Sequence, residues 1–154
     1  MDLATGLGLE AIARAQAVAE GLPHREAKLI SLVRVALDSD IVRRAMASGR
    51  WWREVPVAAP VGETVLEGFI DLLFEEEGGL VVDYKTDVLE AEEEIAERTE
   101  HYRIQVGAYA LAVQAAIGRP VKEVVLLFLQ PRREVQLRDM AAVVAEVQDA
   151  LSTL

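Results

Sequence analysis

The chain has 154 residues, of which 52% are hydrophobic, so it is long and apolar enough to fold as one domain and is not a disordered segment. It contains no cysteine, which excludes disulfides and thiolate metal sites, and it has no apolar run long enough to cross a membrane. The net charge is −10, but positions 75–100 hold eleven acidic residues against two basic ones, so the remaining sequence is close to neutral.

The first fifty residues predict helices. Apolar residues recur at helical spacing over 9–19 and 24–37, and Gly21-Leu22-Pro23 separates the two segments. Ser39 or Asp40 can cap a third, shorter helix, which Gly49 would end.

The middle of the chain predicts strands. Residues 51–58 alternate in polarity, and Pro56 makes this an edge or irregular strand. Residues 64–75 and 80–86 flank Glu76-Glu77-Gly78-Gly79, which has the glycines that a tight hairpin requires.

The last part of the chain returns to helix from about residue 89 to 117, in two pieces that end at Gly118-Arg119-Pro120. A buried strand over 121–129, a short strand over 134–137 and a last amphipathic helix over 138–154 follow. We therefore expect one α/β domain over 1–154: a helical part (1–50), a core that carries the site (51–137) and a C-terminal helix.

Charged residues interrupt both strands of the predicted hairpin. Asp83 and Lys85 lie two residues apart and therefore on one face of a strand, while Asp71 lies within the preceding apolar strand. A three-residue loop at 76–78 would pair Glu75 with Gly79, and the same register places Asp71 opposite Asp83. A two-residue loop would put the two aspartates on different faces.

Two carboxylates placed opposite each other, with Cβ atoms roughly 4.5–5.5 Å apart, repel unless a cation lies between them. Oxygen ligands favour Mg²⁺ or Mn²⁺, and a neighbouring lysine can act on water or offset phosphoryl charge. On the following helix, Gln105 and Tyr109 are four residues apart and share a face.

The ordered segments Gly68-Phe69-Ile70-Asp71, Asp83-Tyr84-Lys85-Thr86-Asp87 and Gln105-x-x-x-Tyr109 resemble the motifs of RecB-type nuclease domains in the PD-(D/E)xK superfamily. Such domains lie at the C-terminus of UvrD/Rep-like helicases and AddAB-type helicase–nucleases. The resemblance implies a restriction-endonuclease-like core, with a mixed sheet, a hairpin that bears the site, and flanking helices.

The resemblance also implies roles for individual residues. Asp71 and Asp83 would bind the metal together with the Tyr84 carbonyl, and Lys85 would be the catalytic lysine. Gln105 and Tyr109 would hold DNA or support the site. Glu54 matches an acid found on the preceding strand and is a further candidate metal ligand.

One family feature is missing, because no Gly-Thr-x-x-His stretch precedes these motifs. Residues 6–10 have that spacing only loosely, with Glu10 in the place of the histidine, and His24 lies in a different context. We interpret the chain as a piece of a larger helicase–nuclease. Its expected function is metal-dependent DNA hydrolysis in repair or recombination, in the cytoplasm, with DNA and helicase domains as partners and no membrane.

The alternative is a nuclease-like module that no longer cuts and serves DNA binding or assembly. For single residues, a structural explanation without a function is the alternative. An Asp-x-Lys pair is usually a solvated surface pair, His24 and His101 are expected at the surface, and Trp51-Trp52 is expected to pack rather than stack on bases. The acidic run is expected to be solvated, and Arg132 and Arg133 either contact phosphate or face water.

Overall fold

The computed structural model describes residues 5–61, 64–76, 80–85, 89 and 91–152, and the side chains of these residues except 59–61, 64, 66, 80–85 and 150–152. In chain order the elements are α1 (Leu9–Ala19), a 3-10 turn (Pro23–Arg25), α2 (Glu26–Leu37), α3 (Asp40–Ser48), β1 (Trp51–Val61), β2 (Thr64–Phe74), β3 (Leu80–Lys85), α4 (Glu92–Ile117), β4 (Glu123–Phe128), β5 (Arg133–Leu137) and α5 (Met140–Ser152). This α/β order confirms the predicted fold class.

The strands form one mixed sheet in the order β1-β2-β3-β4-β5. The pairs β1–β2, β2–β3 and β4–β5 are antiparallel, whereas β3 and β4 are parallel and α4 connects them. Strand β1 lies at an edge, as Pro56 predicted, because proline has no N–H for a second ladder of hydrogen bonds.

Helices cover both faces of the sheet. On one face, α4 and α5 pack against β4 in a cluster that includes Val106, Val113, Val143, Leu126 and Phe128. On the other face, α3 packs in a second cluster, with α2 at its margin; its members include Ile41, Ala45, Leu72, Phe74 and Leu127. All six residues of β4 are buried, which explains the uninterrupted apolar run that follows Glu123. No helix in the described part of the chain is long and apolar enough to cross a membrane.

Helix α4 differs from the prediction, because it is one continuous helix of 26 residues and not two pieces. Gly107 lies in its middle, where a Cβ atom would approach side-chain carbons of Val143 and Val147 to 2.7 Å. The glycine therefore permits close packing of α5 and does not break the helix. The helix ends at Gly118, in the left-handed conformation, as predicted.

Helix α3 is attached to the sheet by ion pairs at one end of the strands. Ser39 caps the helix by accepting a hydrogen bond from the Val42 N–H. Arg44 contacts Glu76 (2.5 Å) and Glu123 (2.8 Å), and Glu123 is only 7% exposed. The hydrogen bond to Glu76 is the main cause that raises the pKa of Arg44 above its ordinary value. Glu123 begins β4, so this network lies at the opposite end of that strand from Phe128, the register partner of Lys85.

Candidate functional site

The hairpin register matches the prediction. Strands β2 and β3 are joined by the pairs Phe74–Leu80, Leu73–Val81 and Leu72–Val82. Asp71 and Asp83 are the next residues on each strand beyond the last of these pairs. The predicted turn glycine, Gly78, lies outside the described residues. The backbone thus brings the two aspartate positions to the point where the β2–β3 ladder ends.

The end of β3 is fixed by its parallel neighbour. Asp83 is in register with Leu126, Tyr84 with Leu127, and Lys85 with Phe128. All three residues are therefore at the C-terminal end of the β3–β4 pair. Their side chains lie outside the described part of the structure, so the meeting of the carboxylates of Asp71 and Asp83 beside Lys85 stays a prediction.

In strands β1 and β2, the regular alternation of side chains between the two faces of the sheet is interrupted at Asp71. Ile70 packs in the cluster beneath α4, whereas Leu72 packs in the cluster beneath α3, although strict alternation would place both on one face. In β1, Val55 belongs to the α4 side and Trp51 to the α3 side, so the same interruption occurs there.

The residue opposite Asp71 in the β1–β2 register is Glu54. The ladder pairs Arg53 with Leu72 and Val55 with Ile70, and the intervening pair is missing from it. Glu54 has a φ of 49°, a left-handed backbone conformation that residues other than glycine rarely adopt. The interruption of the alternation is therefore located at Glu54 and Asp71. Asp71 is half-buried at this point of the sheet.

Tyr109 reaches the same strand from α4. It is 7% exposed and belongs to the same core cluster as Ile70. A Cβ atom built on Gly68 would lie 2.8 Å from Cζ and 2.9 Å from Cε1 of Tyr109, and closer still to its hydroxyl oxygen. Tyr109 thus rests on the bare backbone of Gly68, three residues before Asp71.

The other predicted site residues are distributed differently. Gln105 is exposed one helical turn before Tyr109, so the two residues predicted to act together differ in burial. Glu54 is exposed as well. Of the candidates whose side chains the structure describes, Asp71 and Tyr109 are the ones held within the packed core region.

The two residues considered for the place of the missing histidine, Glu10 and His24, belong to the N-terminal helical part. Glu10 is on α1 and forms an ion pair with Arg34 of α2 at 2.9 Å. His24 and His101 are exposed, as predicted for surface residues. Trp51 is half-buried in the α3-side cluster, whereas Trp52 is 47% exposed, so only the first of the pair packs as expected.

The chemistry of the donors fits a hard divalent cation. Among the described side chains, no three His, Asp or Glu residues lie close enough to hold a metal ion. All predicted donors are oxygen atoms: the carboxylates of Asp71 and Asp83, the Tyr84 carbonyl and, as a further candidate, the carboxylate of Glu54. Such a set suits Mg²⁺ or Mn²⁺, which bind to one or two carboxylates and keep several waters.

The acidic beginning of α4 is solvated, as predicted. Glu92, Glu93, Glu94, Glu97 and Glu100 are all exposed. Glu92 forms an ion pair with Arg133 at the start of β5. Arg133 is therefore engaged by a carboxylate, while the neighbouring Arg132 is exposed.

Two features of the site were not apparent from the sequence. The motif residue Gly68 was visible, but its contact with Tyr109 requires the packing of α4 on β2. The left-handed conformation of Glu54 has no local signal either, because glutamate is not a residue that favours it.

The family model and the curated relatives that match the chain agree with the motifs found in its sequence. The model of the PD-(D/E)XK nuclease superfamily matches residues 7–154. An ATP-dependent helicase/nuclease subunit from Bacillus cereus (strain Q1) is 30% identical over 143 residues, covering 78% of this chain and 12% of that protein. The protein of the same name from Bacillus thuringiensis subsp. konkukian (strain 97-27) is 29% identical over 143 residues with the same coverage.

The chain therefore spans about an eighth of the length of the curated relatives that it matches. Among solved structures, a "putative exonuclease" from Eubacterium rectale aligns with a TM-score of 0.55 and 14% identity, covering 99% of this chain and 65% of that one. At this identity the likeness concerns the fold alone.

Proposed function

Because the chain belongs to the PD-(D/E)XK nuclease superfamily, as its motifs predicted, we propose that it is the nuclease domain of a helicase–nuclease and hydrolyses DNA phosphodiester bonds with a divalent metal ion. The observation that supports the proposal is the hairpin register, in which Asp71 and Asp83 are the next residues beyond the last pair of the β2–β3 ladder. Lys85 follows two residues later, as the last residue of β3.

The relatives support the biological setting. They are named as ATP-dependent helicase/nuclease subunits from bacteria, and the chain corresponds to a small part of their length. We propose that residues 1–154 act as one unit next to helicase domains, on DNA that is being repaired or recombined in the cytoplasm. The helicase would supply unwound strands, and this domain would cut them.

Each residue has a defined task in the proposed mechanism. The carboxylates of Asp71 and Asp83 and the Tyr84 carbonyl would hold the metal ion, with Glu54 as a further candidate ligand. A divalent ion at this position supplies positive charge to the scissile phosphate and makes water a better nucleophile at neutral pH. Lys85 would orient the attacking water and donate hydrogen bonds to the negative charge that develops on the phosphoryl oxygens.

Helix α4 would position the substrate and the site. Exposed Gln105 can hydrogen-bond to a DNA strand, because an amide donates and accepts. Buried Tyr109 would act through β2, since it rests on Gly68 and belongs to the same core cluster as Ile70. We therefore assign Tyr109 to positioning of the strand that bears Asp71, and Gln105 to DNA contact.

The decisive experiment compares Lys85→Ala and Asp71→Asn with the wild type in a nuclease assay with Mn²⁺ or Mg²⁺. Loss of Lys85 should reduce cleavage by about 10²–10³-fold, which is the usual effect of removing one hydrogen-bond donor that stabilises a developing charge. Lys122→Ala is the matched control, because Lys122 is exposed beside the opposite end of β4 and should be dispensable.

A calorimetric titration separates metal binding from catalysis. Mn²⁺ should bind to the wild type and to Lys85→Ala but not to Asp71→Asn, since only the last variant loses a metal ligand. If Lys85→Ala cuts as fast as the wild type, the assigned mechanism is wrong. If the wild type, tested both alone and joined to the helicase part of its parent, never cuts with either metal, the non-cutting DNA-binding module is the better description.

A further inference from the structure

Most of the basic side chains in the described part of the chain are neutralised by carboxylates. Nine arginines form ion pairs: Arg14, Arg34, Arg43, Arg44, Arg50, Arg103, Arg119, Arg133 and Arg138. Among the same described residues, five exposed cations make no ion pair: Arg25, Lys28, Arg53, Arg98 and Arg132. Three of these five, Arg25, Lys28 and Arg132, line two neighbouring grooves.

These three cations surround one structural feature, the turn at residues 129–132 that joins β4 to β5. On one side of this turn, Gln130 lines a groove of about 450 Å³ together with Arg25 and Lys28. On the other side, Arg132 lines a cavity of about 720 Å³ together with Ser31 of α2. The turn therefore lies across α2, with basic residues on both sides of the crossing.

The carboxylates nearby have partners of their own. In the larger cavity, Asp40 pairs with Arg43, and Glu134 accepts a hydrogen bond from the Ile41 N–H at 3.1 Å. Asp38 in that cavity and Glu20 in the groove are acidic as well, so the walls carry both signs of charge. The larger cavity is lined by three cations and three acids, and the groove by two cations and one acid, so the walls together carry a net charge of +1. The cations among them that no acid neutralises are Arg25, Lys28 and Arg132.

The backbone holds Arg132 in an unusual conformation. Its φ is 54°, in the left-handed region, which costs a residue other than glycine about 1–2 kcal/mol. A glycine or asparagine at this position would relieve that cost. The arginine therefore contributes something other than turn stability, and Arg133 next to it is already occupied by Glu92.

The turn is also adjacent to the candidate site. Phe128, the last residue of β4, is the register partner of Lys85, and the turn begins with the next residue. A DNA strand whose phosphodiester reaches the end of β3 therefore meets the turn as it passes over the end of the sheet toward α2.

We propose that Arg25, Lys28 and Arg132 form a phosphate track that binds the backbone of the DNA strand leaving the site. This proposal rests on the proposed function, because the DNA strand that the track binds is the one that leaves the proposed nuclease site. Arginine and lysine bind phosphate oxygens without reading bases, so the track provides affinity and direction but no sequence preference. It gives an otherwise acidic domain a surface on which DNA is not repelled.

The test measures binding of a fluorescent oligothymidylate of about 30 nucleotides as a function of salt concentration. All proteins carry Asp71→Asn, so that binding is separated from cleavage. The track variant is Arg25→Gln/Lys28→Gln/Arg132→Gln. The control is Arg50→Gln/Arg119→Gln/Lys122→Gln, which removes the same three charges near the opposite end of β4.

Each phosphate contact on a single strand contributes about −0.7 to the slope of log affinity against log salt. The track variant should therefore lose about 2 units of slope and bind at least about tenfold more weakly at low salt, while the control stays near the parent. Equal losses of slope and affinity in both variants would show that only the overall charge matters, and this result would overturn the track. A parent protein that does not bind the oligothymidylate at low salt would overturn it too.

The two proposals fail separately. If Lys85→Ala leaves cleavage intact while the track variant loses slope, the catalytic assignment is wrong and the track survives as a DNA-binding surface. If cleavage depends on Lys85 but the track variant binds DNA like the control, the track is wrong and the nuclease proposal stands.

Discussion

Substitution of Gly68 by alanine tests whether Tyr109 is seated on β2. The φ of Gly68 is not in the left-handed region, so its backbone can accept alanine, and relief of glycine's flexibility alone would stabilise the protein by about 0.4–1 kcal/mol. The new methyl group, however, would lie 2.8 Å from Cζ of Tyr109. Tyr109 is 7% exposed and cannot withdraw into solvent without leaving the core.

The steric effect should dominate. An added carbon in a packed core costs about 1–3 kcal/mol, which exceeds the entropic gain. We therefore expect Gly68→Ala to lower the free energy of unfolding by about 1–2 kcal/mol and the melting temperature by about 2–8 °C. Urea unfolding followed by circular dichroism measures this change, and Glu67→Ala, at the exposed neighbouring position, should change it by less than about 0.5 kcal/mol.

A double-mutant cycle identifies the contact itself. In a Tyr109→Leu background the ring is gone, so Gly68→Ala should become neutral or stabilising. Tyr109→Phe should rescue only in part, because Cζ remains within 2.8 Å of the new methyl group. If Gly68→Ala is as stable as the wild type in the unmodified background, Tyr109 does not rest on Gly68, and its assigned role in positioning β2 is refuted.

Two further predictions concern backbone strain and charge. Glu54→Gly should leave stability unchanged or raise it by up to about 1 kcal/mol in urea unfolding, whereas Glu67→Gly, at an exposed position of β2 without positive φ, should lower it by about 0.5–1 kcal/mol; equal losses would show that Glu54 is not strained. The hydrogen bond from Arg119, at 2.5 Å, lowers the pKa of Glu75, so Arg119→Gln should raise that pKa toward its ordinary value in carboxyl NMR titration. Because the folded-state pKa is depressed, any stability difference between the two proteins should be present at neutral pH and disappear as the pH falls through the folded-state pKa of Glu75.

The fold was largely predictable because its signals are local. After Glu123, strand β4 is a run of β-branched and apolar residues. The hairpin glycines set the register that the β2–β3 ladder confirms. The continuity of α4 was not predicted. Glycine normally weakens a helix, but Gly107 is retained because Val143 and Val147 occupy the space of its missing side chain. That compensation comes from a helix more than thirty residues later and has no signature in the local sequence.

The site was predictable in part for a related reason. The positions of Asp71 and Asp83 follow from counting residues around one turn. The interruption of the alternation at Glu54 depends on the two packed clusters, which pull Ile70 and Leu72 to opposite sides of the sheet. The track around Arg132 depends on the crossing of α2 by the β4–β5 turn, which brings together residues about a hundred positions apart. Neither arrangement follows from the spacing of residues in one element.

The interruption of the alternation at Asp71 also explains how a carboxylate can lie in so apolar a strand. Ile70 and Leu72 are both 0% exposed, one in each core cluster, so they fix the backbone on either side of Asp71. If the carboxylate of Asp83 lies beside it, as we propose, the two acids repel each other unless a cation is close. The apolar neighbours hold it in place before any ligand arrives. In the proposed nuclease site, a strand fixed between two cores would thus present the acid near the end of the β2–β3 ladder, as a preorganised metal site requires.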